Sequence, residues 1–277
     1  MTKLIAPVIK WSGSKRRLVP ILKPIIESRQ FNTFFEPFVG SGSVLGALSP
    51  NKAVAGDLQT ELIALWKMIQ TAPGELASSY ESNWKKLQER GHTHYYEVRD
   101  HFNKTRSPES FLFLTRTCVN GLIRFNSSGD FNNSLHHTRP GIEPSKLREI
   151  LEEWSGRVAK TRFKNSDYIS STSEASSGDM VYLDPPYMGN RGRYQKQSFD
   201  FVRFQEYLKN LNSRGVNWVL SLDGASGDRD YSSGLGGIKE LSKSVTFVEA
   251  GNSAFPKLLN GRTDKVSESI FTNFDLN

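Results

Sequence analysis

Short apolar runs recur along the chain, separated by segments with helical periodicity. The apolar runs predict seven strands, at residues 33–36, 53–56, 161–164, 180–184, 218–222, 245–249 and 269–274. Several runs are continuous rather than alternating, which is typical of strands buried on both faces of a parallel sheet. Apolar residues at helical spacing predict helices at residues 14–28, 60–70 and 201–212. Strands that alternate with helices indicate a doubly wound α/β fold.

Residues 71–159 interrupt this alternation, because they contain no convincing parallel strand. Helical patterns at 75–90, 95–103, 108–118 and 146–154 surround a polar segment at residues 120–133 that is rich in Gly and Asn. The turn-forming residues 127–130 predict a hairpin near residues 125–131. We therefore expect a core made of residues 1–70 and 160–277, with a mostly helical module inserted at residues 71–159.

The charge balance is basic and the cysteine content is minimal. The chain of 277 residues has 36 Lys and Arg against 29 Asp and Glu, a formal net charge of +7. This excess suits a polyanionic partner, although ordinary solubility explains it equally well.

One Cys excludes an intramolecular disulfide and, with five His, argues against a Cys/His zinc site, so we expect no metal. Without a long apolar stretch, the sequence predicts no signal peptide, no membrane contact and a cytoplasmic location.

The ends of the first two predicted strands carry features of a ligand site. The first strand runs into Gly40-Ser41-Gly42 and then a helix, and glycine lets a ligand approach the backbone closely. The second strand ends at Asp57, whose carboxylate can accept hydrogen bonds from ribose hydroxyls. Taken singly, a tight turn and a helix N-cap explain these residues. Their position at adjacent strand ends favours a ligand, because ligands bind there in open α/β sheets.

A third feature is the segment Asp184-Pro185-Pro186-Tyr187, which follows a buried strand. Two prolines stiffen the backbone and cannot continue a central strand. The segment therefore presents a carboxylate, free carbonyl groups and an aromatic ring together. An exocyclic amino group has two N–H donors that need two acceptors, while a ring can stack on its base. A proline-rich surface turn would not require this combination.

These segments together resemble the motifs of the Dam-type DNA adenine-N6 methyltransferases, the alpha group of the D12 class. Residues 184–187 match the D-P-P-Y motif, and residues 35–42 are similar to the family's S-adenosylmethionine loop. Residues 10–15 resemble the K-W-x-G-x-K motif that precedes this loop. Residues 120–126 resemble the N-G-L-x-R-[YF]-N segment of the DNA-contacting hairpin. The resemblance covers almost the whole chain, in the motif order of the alpha group.

The resemblance implies a fold, a reaction and partners. The fold is a Rossmann-like S-adenosylmethionine-dependent methyltransferase sheet, with a DNA target-recognition module at residues 71–159. The reaction is site-specific methyl transfer from S-adenosylmethionine to the N6 amino group of adenine in double-stranded DNA, with the base flipped into the D-P-P-Y pocket. A cognate restriction endonuclease is left open as a partner, and the protein is expected to be a monomer or weak dimer.

The resemblance also assigns residues to roles. Asp184 and the Pro185 carbonyl would accept hydrogen bonds from the amino group, and Tyr187 would stack on the base. Lys15 would reach the cofactor carboxylate. The implied cofactor set is Trp11, Lys15, Glu36, Pro37, Phe38, Gly40, Ser41, Gly42, Asp57, Asp167, Tyr168 and Asp184. The implied DNA set is Asn120, Leu122, Arg124 and Asn126, with Arg124 bound to a guanine or a phosphate.

Three alternatives stay open. The same pocket suits the N4 amino group of cytosine, a structured RNA is a further substrate, and a catalytically silent DNA-binding module could keep the fold. The Asp that opens residues 184–187 and the motif order favour adenine. Intact Asp184 and Tyr187 argue against a silent module. Residues 132–136 read N-N-S-L-H where the family often has N-V-P-x-G, so the sequence does not predict the target GATC.

Overall fold

The computed structural model describes residues 4–136, 138, 141–186, 199–226, 229–230, 236–252 and 265–276. Within these residues one sheet contains eight strands. They are β1 (Phe34–Glu36), β2 (Ala53–Asp57), β3 (Thr161–Asn165), β4 (Met180–Leu183), β5 (Asn217–Ser226), β6 (Arg229–Asp230), β7 (Ser244–Asn252) and β8 (Lys265–Thr272). All seven strands that the apolar runs predict are among them. The short β6 is the one that the sequence did not predict.

The strand order is β3-β2-β1-β4-β5-β8-β7, and β6 pairs with β5. The first five strands in this order are parallel, whereas β8 runs antiparallel to both β5 and β7. The chain leaves β1 toward β2 and β3 and then returns to β4 on the other side of β1. The carboxyl ends of β1 and β4 therefore flank a topological switch point, where open α/β sheets bind their ligands. The predicted α/β sheet is confirmed.

Helices cover both faces of the sheet and form the region between β2 and β3. They are α1 (Val19–Glu27), α2 (Ser43–Leu48), α3 (Thr60–Thr71), α4 (Pro73–Arg90), α5 (His92–Thr105), α6 (Pro108–Thr117), α7 (Pro144–Val158), α8 (Tyr168–Ser171), α9 (Phe201–Ser213) and α10 (Gly236–Leu241). The helix expected at residues 14–28 is divided. A 3₁₀ turn at Lys15–Arg17 precedes α1, whose first turn contains Pro20. Proline suits a first helical turn and cannot extend a preceding helix, so the division follows from its missing N–H.

The region between β2 and β3 packs α4, α5, α6 and α7 against one another, and α3 contacts α6 and α7. Their buried side chains belong to the same apolar cluster as one face of the sheet. The polar segment of this region contains an isolated antiparallel bridge between Phe125 and Phe131. This bridge lies where the sequence predicts a hairpin. No helix in the described part of the chain is long and apolar enough to cross a bilayer.

Alternation along the strands divides the core into two clusters. Phe34, Met180 and Tyr182 face the cluster that includes α3, α6 and α7. Phe35 and Val181 face a second cluster, built with α9. Because successive strand residues point to opposite faces, the side chain that follows each strand has a face set by this alternation.

Candidate active site

Four polar side chains lie on one face of the sheet near its switch point. Glu36 is two residues beyond Phe34, and Asp184 is two residues beyond Tyr182, so alternation places both on the face that α3, α6 and α7 cover. Ser221 on β5 is two residues from Val219, and Glu268 on β8 is two residues from Ile270. Since Val219 and Ile270 belong to that cluster, Ser221 and Glu268 lie on the same face. The strands thus concentrate three carboxyl groups and one hydroxyl group in a largely buried space.

Lys15 supplies a positive charge to this group. Its side chain is only 5% exposed, and Nζ lies 3.2 Å from Asp184 Oδ1 and 3.3 Å from Glu268 Oε2. Ser221 Oγ donates to the same Asp184 oxygen over 3.4 Å and lies 2.8 Å from the Tyr182 hydroxyl. Lys15 therefore bridges the end of β4 and the last strand. The sequence assigned Lys15 to the cofactor, and these two carboxylate contacts were not expected.

Burial dominates the electrostatics of these carboxyl groups. Desolvation raises the pKa of Asp184, against the opposing influence of the Lys15 charge and of hydrogen bonds from Lys15 and Ser221. Desolvation also raises the pKa of Glu36 well above its ordinary value, with the nearby Asp184 acting in the same direction. A hydrogen bond of 2.8 Å from the Leu45 N–H opposes this shift. Protonation therefore relieves part of the cost of burying these carboxyl groups.

The glycine turn after β1 packs closely between two tryptophans. Gly40 and Gly42 have φ values of +43° and +63°, which favour glycine. A Cβ on Gly40 would lie 2.9 Å from Trp11 Nε1, and Trp66 Nε1 donates to the Gly40 carbonyl over 3.0 Å. Asp57 accepts from the Gly40 N–H over 3.2 Å and from the Gln59 N–H over 3.0 Å. Asp57 thus ties the glycine turn to β2, and burial raises the pKa of this carboxyl.

Hydroxyl groups join the N-terminal segment to the glycine turn. The Oγ atoms of Ser14, Ser41 and Ser43 form a triangle with sides of 2.8–2.9 Å. The sequence named Ser41 and missed Ser14 and Ser43. The repeated small residues of S-G-S-K and G-S-G-S are the signal that points to this contact.

An aromatic surface lies beside the turn. The Phe38 ring stacks on Tyr168 at a centroid distance of 5.5 Å. Asp167 caps α8 by accepting the Ser170 N–H over 2.7 Å, which places Tyr168 at the start of that helix. Phe204 of α9 packs edge-on against both rings. The residues expected to contact the cofactor adenine are therefore adjacent to the turn through Phe38.

The structure gathers the residues expected at the site into two neighbouring groups. Lys15, Glu36 and Asp184 form the carboxylate group, and Pro185 is buried directly after it. The turn group consists of Trp11, Pro37, Phe38, Gly40, Ser41, Gly42, Asp57, Asp167 and Tyr168. Tyr187 lies outside the described residues. The predictions from sequence missed Ser221 and Glu268. The available signal was strand alternation, because Ser221 lies within the predicted strand 218–222 and Glu268 directly precedes the predicted strand 269–274.

The residues expected to contact DNA lie on the connection between α6 and α7. Asn120, Arg124 and Asn126 are exposed, and Leu122 is half-buried. Asn120 has a φ of +56°. Arg124 Nε donates to Asn132 Oδ1 over 2.9 Å, and Asn126 Oδ1 accepts the Asp130 N–H over 2.8 Å. In the described parts of the chain, no group of three or more His, Cys, Asp or Glu side chains is arranged to hold a metal ion.

Comparison with known proteins gives the family. The model of the D12 class N6 adenine-specific DNA methyltransferases matches residues 11–249. The Type II methyltransferase M1.LlaDCHI of Lactococcus lactis subsp. cremoris is 29% identical, over 98% of this chain and 96% of the relative. The DNA adenine methylase of Escherichia coli K12 is 28% identical, over 77% of this chain and 79% of the relative. This chain therefore belongs to the D12 class N6 adenine-specific DNA methyltransferase family.

Proposed function

We propose that this adenine-specific DNA methyltransferase takes its methyl group from S-adenosylmethionine and holds the target amino group against Asp184. The observation that carries the proposal is the position of Asp184, at the carboxyl end of β4 and at the switch point, fixed by Lys15 and Ser221. Both contacts are made to Oδ1, so they orient the carboxylate plane. The reaction requires such an acceptor, because an aromatic amino group is a poor nucleophile.

Three features support S-adenosylmethionine as the donor. The backbone of the glycine turn lies directly against the Trp11 ring, so that a side chain at Gly40 would collide with that ring. The Asp57 carboxylate at the adjacent strand end suits ribose hydroxyls. The stacked rings of Phe38 and Tyr168 offer an aromatic surface for a purine. When bound, S-adenosylmethionine supplies an electrophilic methyl group on a sulfonium centre.

The residues of the chain contribute positioning rather than covalent chemistry. Asp184 and the Pro185 carbonyl accept hydrogen bonds from the two N–H groups of the flipped adenine, which directs the nitrogen lone pair away from the ring. Tyr187 stacks on the base in this proposal. Burial of Asp184 and Glu36 removes water from the reacting groups, so that transfer depends on alignment and desolvation. Methylation would leave the amino nitrogen positively charged, and its extra proton would leave to solvent after the transfer. Asp184 is required only as a hydrogen-bond acceptor and not as a strong base.

We further propose that residues 71–159 recognise double-stranded DNA through the segment that carries Arg124. The exposed Asn120, Arg124 and Asn126 support this role, because exposed polar and cationic groups suit base edges and phosphates. One cofactor site and one base pocket suffice for a monomer. The Type II name of the Lactococcus relative supports a restriction endonuclease as a partner that acts on the same sites.

The test combines the reaction with a matched pair of variants on β4. Purified protein is incubated with methyl-labelled S-adenosylmethionine and unmethylated genomic DNA, and the labelled nucleosides are identified. N6-methyladenine is expected. Asp184→Ala should lower kcat by about 10²-fold or more, since both acceptor oxygens of the side chain are lost. Full activity of this variant would overturn the pocket assignment, and label on another base would overturn the substrate.

Asp179 provides the control, because it lies at the opposite end of β4. Its carboxylate accepts N–H groups from Thr33 and Ser176, each over 2.9 Å. Asp179→Ala should therefore lower the melting temperature and leave kcat nearly unchanged. Equal losses of kcat in both variants would mean that Asp184 acts through the stability of the strand.

A further inference from the structure

The segment that carries Arg124 is a short ribbon whose two arms share one isolated β-bridge. We define the recognition hairpin as residues 122–133. Its arms meet at the bridge between Phe125 and Phe131 and through two backbone hydrogen bonds. The Asn132 N–H donates to the Arg124 carbonyl over 3.0 Å, and the Asn126 N–H donates to the Asp130 carbonyl over 2.9 Å. An isolated two-stranded ribbon is marginally stable at best in water. The direction in which the hairpin presents its side chains must therefore be set by other elements.

Helix α5 makes the most specific of these contacts. Asn103 Oδ1 accepts the Phe131 N–H over 2.8 Å, and Asn103 Nδ2 donates to the Phe131 carbonyl over 3.1 Å. One side chain thus satisfies both backbone groups of one hairpin residue, as a neighbouring strand would. The Phe131 ring is 1% exposed and packs edge-on against Phe102 of the same helix. Phe131 is therefore fixed at its backbone and at its side chain.

Arg106, at the end of α5, connects the hairpin to the catalytic core. Its guanidinium lies 3.4 Å from Asp130 of the hairpin and 3.9 Å from Glu61 of α3. The same group lies over the rings of Phe102 and Phe125 at 5.5 and 6.0 Å. The last turn of α5 therefore holds the hairpin at a set position relative to the helix that packs behind β2.

The next residue transfers this position to Arg124. Asn132 directly follows Phe131, and it bonds Arg124 twice. Its N–H donates to the Arg124 carbonyl, and its Oδ1 accepts from Arg124 Nε over 2.9 Å. With Nε engaged, the two terminal nitrogens of the guanidinium form the remaining fork, and their direction is set by Asn132. A fork of this kind reads guanine only when it is correctly aimed.

We infer that Asn103 and Asn132 are specificity-determining positioning residues, which aim Arg124 at one base pair of the recognition sequence. Asn103 fixes Phe131, the adjacent Asn132 orients the guanidinium, and Arg124 reads the base. The inference rests on the proposed contact between Arg124 and DNA. It adds that α5, which carries none of the residues that the resemblance assigned to DNA, controls discrimination at that position.

The experiment first determines the methylated sequence of the wild-type protein and then measures kcat/KM on duplexes substituted at each position. Arg124→Ala should reduce discrimination at one position by about tenfold or more. Asn132→Ala and Asn103→Ala should reduce discrimination at that same position. Cofactor affinity should be unchanged in all three. Because the residues act in series, adding Asn103→Ala to Arg124→Ala should cause no further loss of discrimination.

Asn83 provides a matched control within the same helical region. It bonds Ser79 and His94 and makes no contact with the hairpin. Asn83→Ala should lower kcat/KM, if at all, equally on every duplex. Asn103→Asp keeps the acceptor for the Phe131 N–H and replaces Asn103→Ala if that protein does not fold.

The outcomes separate this inference from its premise. Altered discrimination in Arg124→Ala with normal discrimination in the Asn103 variants would overturn the positioning role alone. Additive losses in the double variant would overturn it as well. Unchanged discrimination in Arg124→Ala would remove the proposed DNA contact and the inference together, whereas loss at the same position in all three single variants would establish it.

Discussion

Replacing Lys15 with Met tests whether the buried carboxylates carry charge. Lys15 Nζ lies within 3.3 Å of Asp184 and Glu268, and its side chain is 5% exposed. Methionine has nearly the same length and apolar stem but no charge. The variant therefore leaves Asp184, Glu268 and the neighbouring Glu36 without the cation that bridges two of them.

The expected cost is large because these groups are removed from water. Breaking a buried ion pair by deleting one partner costs about 3–5 kcal/mol, since the remaining charge loses an attraction that offset its desolvation. For a chain of this size that loss corresponds to a decrease of roughly 10 °C in Tm. The surface pair of Lys85 and Glu81 is shorter, at 2.7 Å, but its side chains are 63% and 37% exposed. Lys85→Met should therefore change Tm little, although its ion pair is the closer one.

The cost should depend on pH in a defined direction. Lys15 lowers the pKa of Asp184, so its removal raises that pKa further above the value in the unfolded chain. The folded variant then binds more protons than the unfolded variant in this range, and its stability falls as pH rises through the raised pKa. The deficit relative to the wild type should be small at low pH, where the carboxyl groups are protonated. It should grow at pH values above the ordinary carboxyl range.

Thermal denaturation of the wild type, Lys15→Met and Lys85→Met at pH 5 and pH 8 measures these effects. The reasoning requires a large loss for Lys15→Met at pH 8 and a smaller loss at pH 5. Equal stability of the two variants at both pH values would refute it, because the buried carboxyl groups would then be neutral even beside Lys15.

Three other predictions concern the glycine turn and the base pocket. Gly42→Ala should destabilise the fold by about 1–3 kcal/mol in urea denaturation, since its φ is +63° and the new Cβ would lie 2.9 Å from the Trp66 ring; an unchanged midpoint would contradict this. Asp57→Ala should weaken S-adenosylmethionine binding about tenfold or more in calorimetry, because the ribose acceptor and the anchor of Gly40 are both lost. In the pH profile of kcat/KM, the apparent pKa of the acid limb should lie above the ordinary pKa of an aspartate. Burial raises the pKa of Asp184, and protonation removes a hydrogen-bond acceptor. An acid limb at the ordinary value would count against Asp184 as the required acceptor.

The positions of seven strands along the chain were predictable from the sequence, because each strand depends on a local pattern. Continuous apolar runs such as residues 180–183 suit only strands covered on both faces, and β4 is buried at every residue. The sequence motifs at residues 35–42 and 184–187 directly follow such runs. The resemblance assigned both motifs to one cofactor site, and the strand order shows that β1 and β4, which precede them, are neighbours.

Three features depended on the tertiary structure. They are the placement of β8 between β5 and β7, the contact of Lys15 with Glu268, and the support of Arg124 by Asn103 through Phe131 and Asn132. Lys15 and Glu268 are 253 positions apart in the sequence. The residues next to a lysine in a turn do not indicate which distant carboxylate it will contact. The turn-forming residues predict the hairpin itself, but nothing in that segment signals the hydrogen bonds from Asn103 of α5 that hold Phe131. The sequence by itself determined the elements, through local periodicity and backbone stereochemistry. Which buried charges and side-chain amides meet was decided by packing, because burying a polar group requires a partner that can come from any part of the chain.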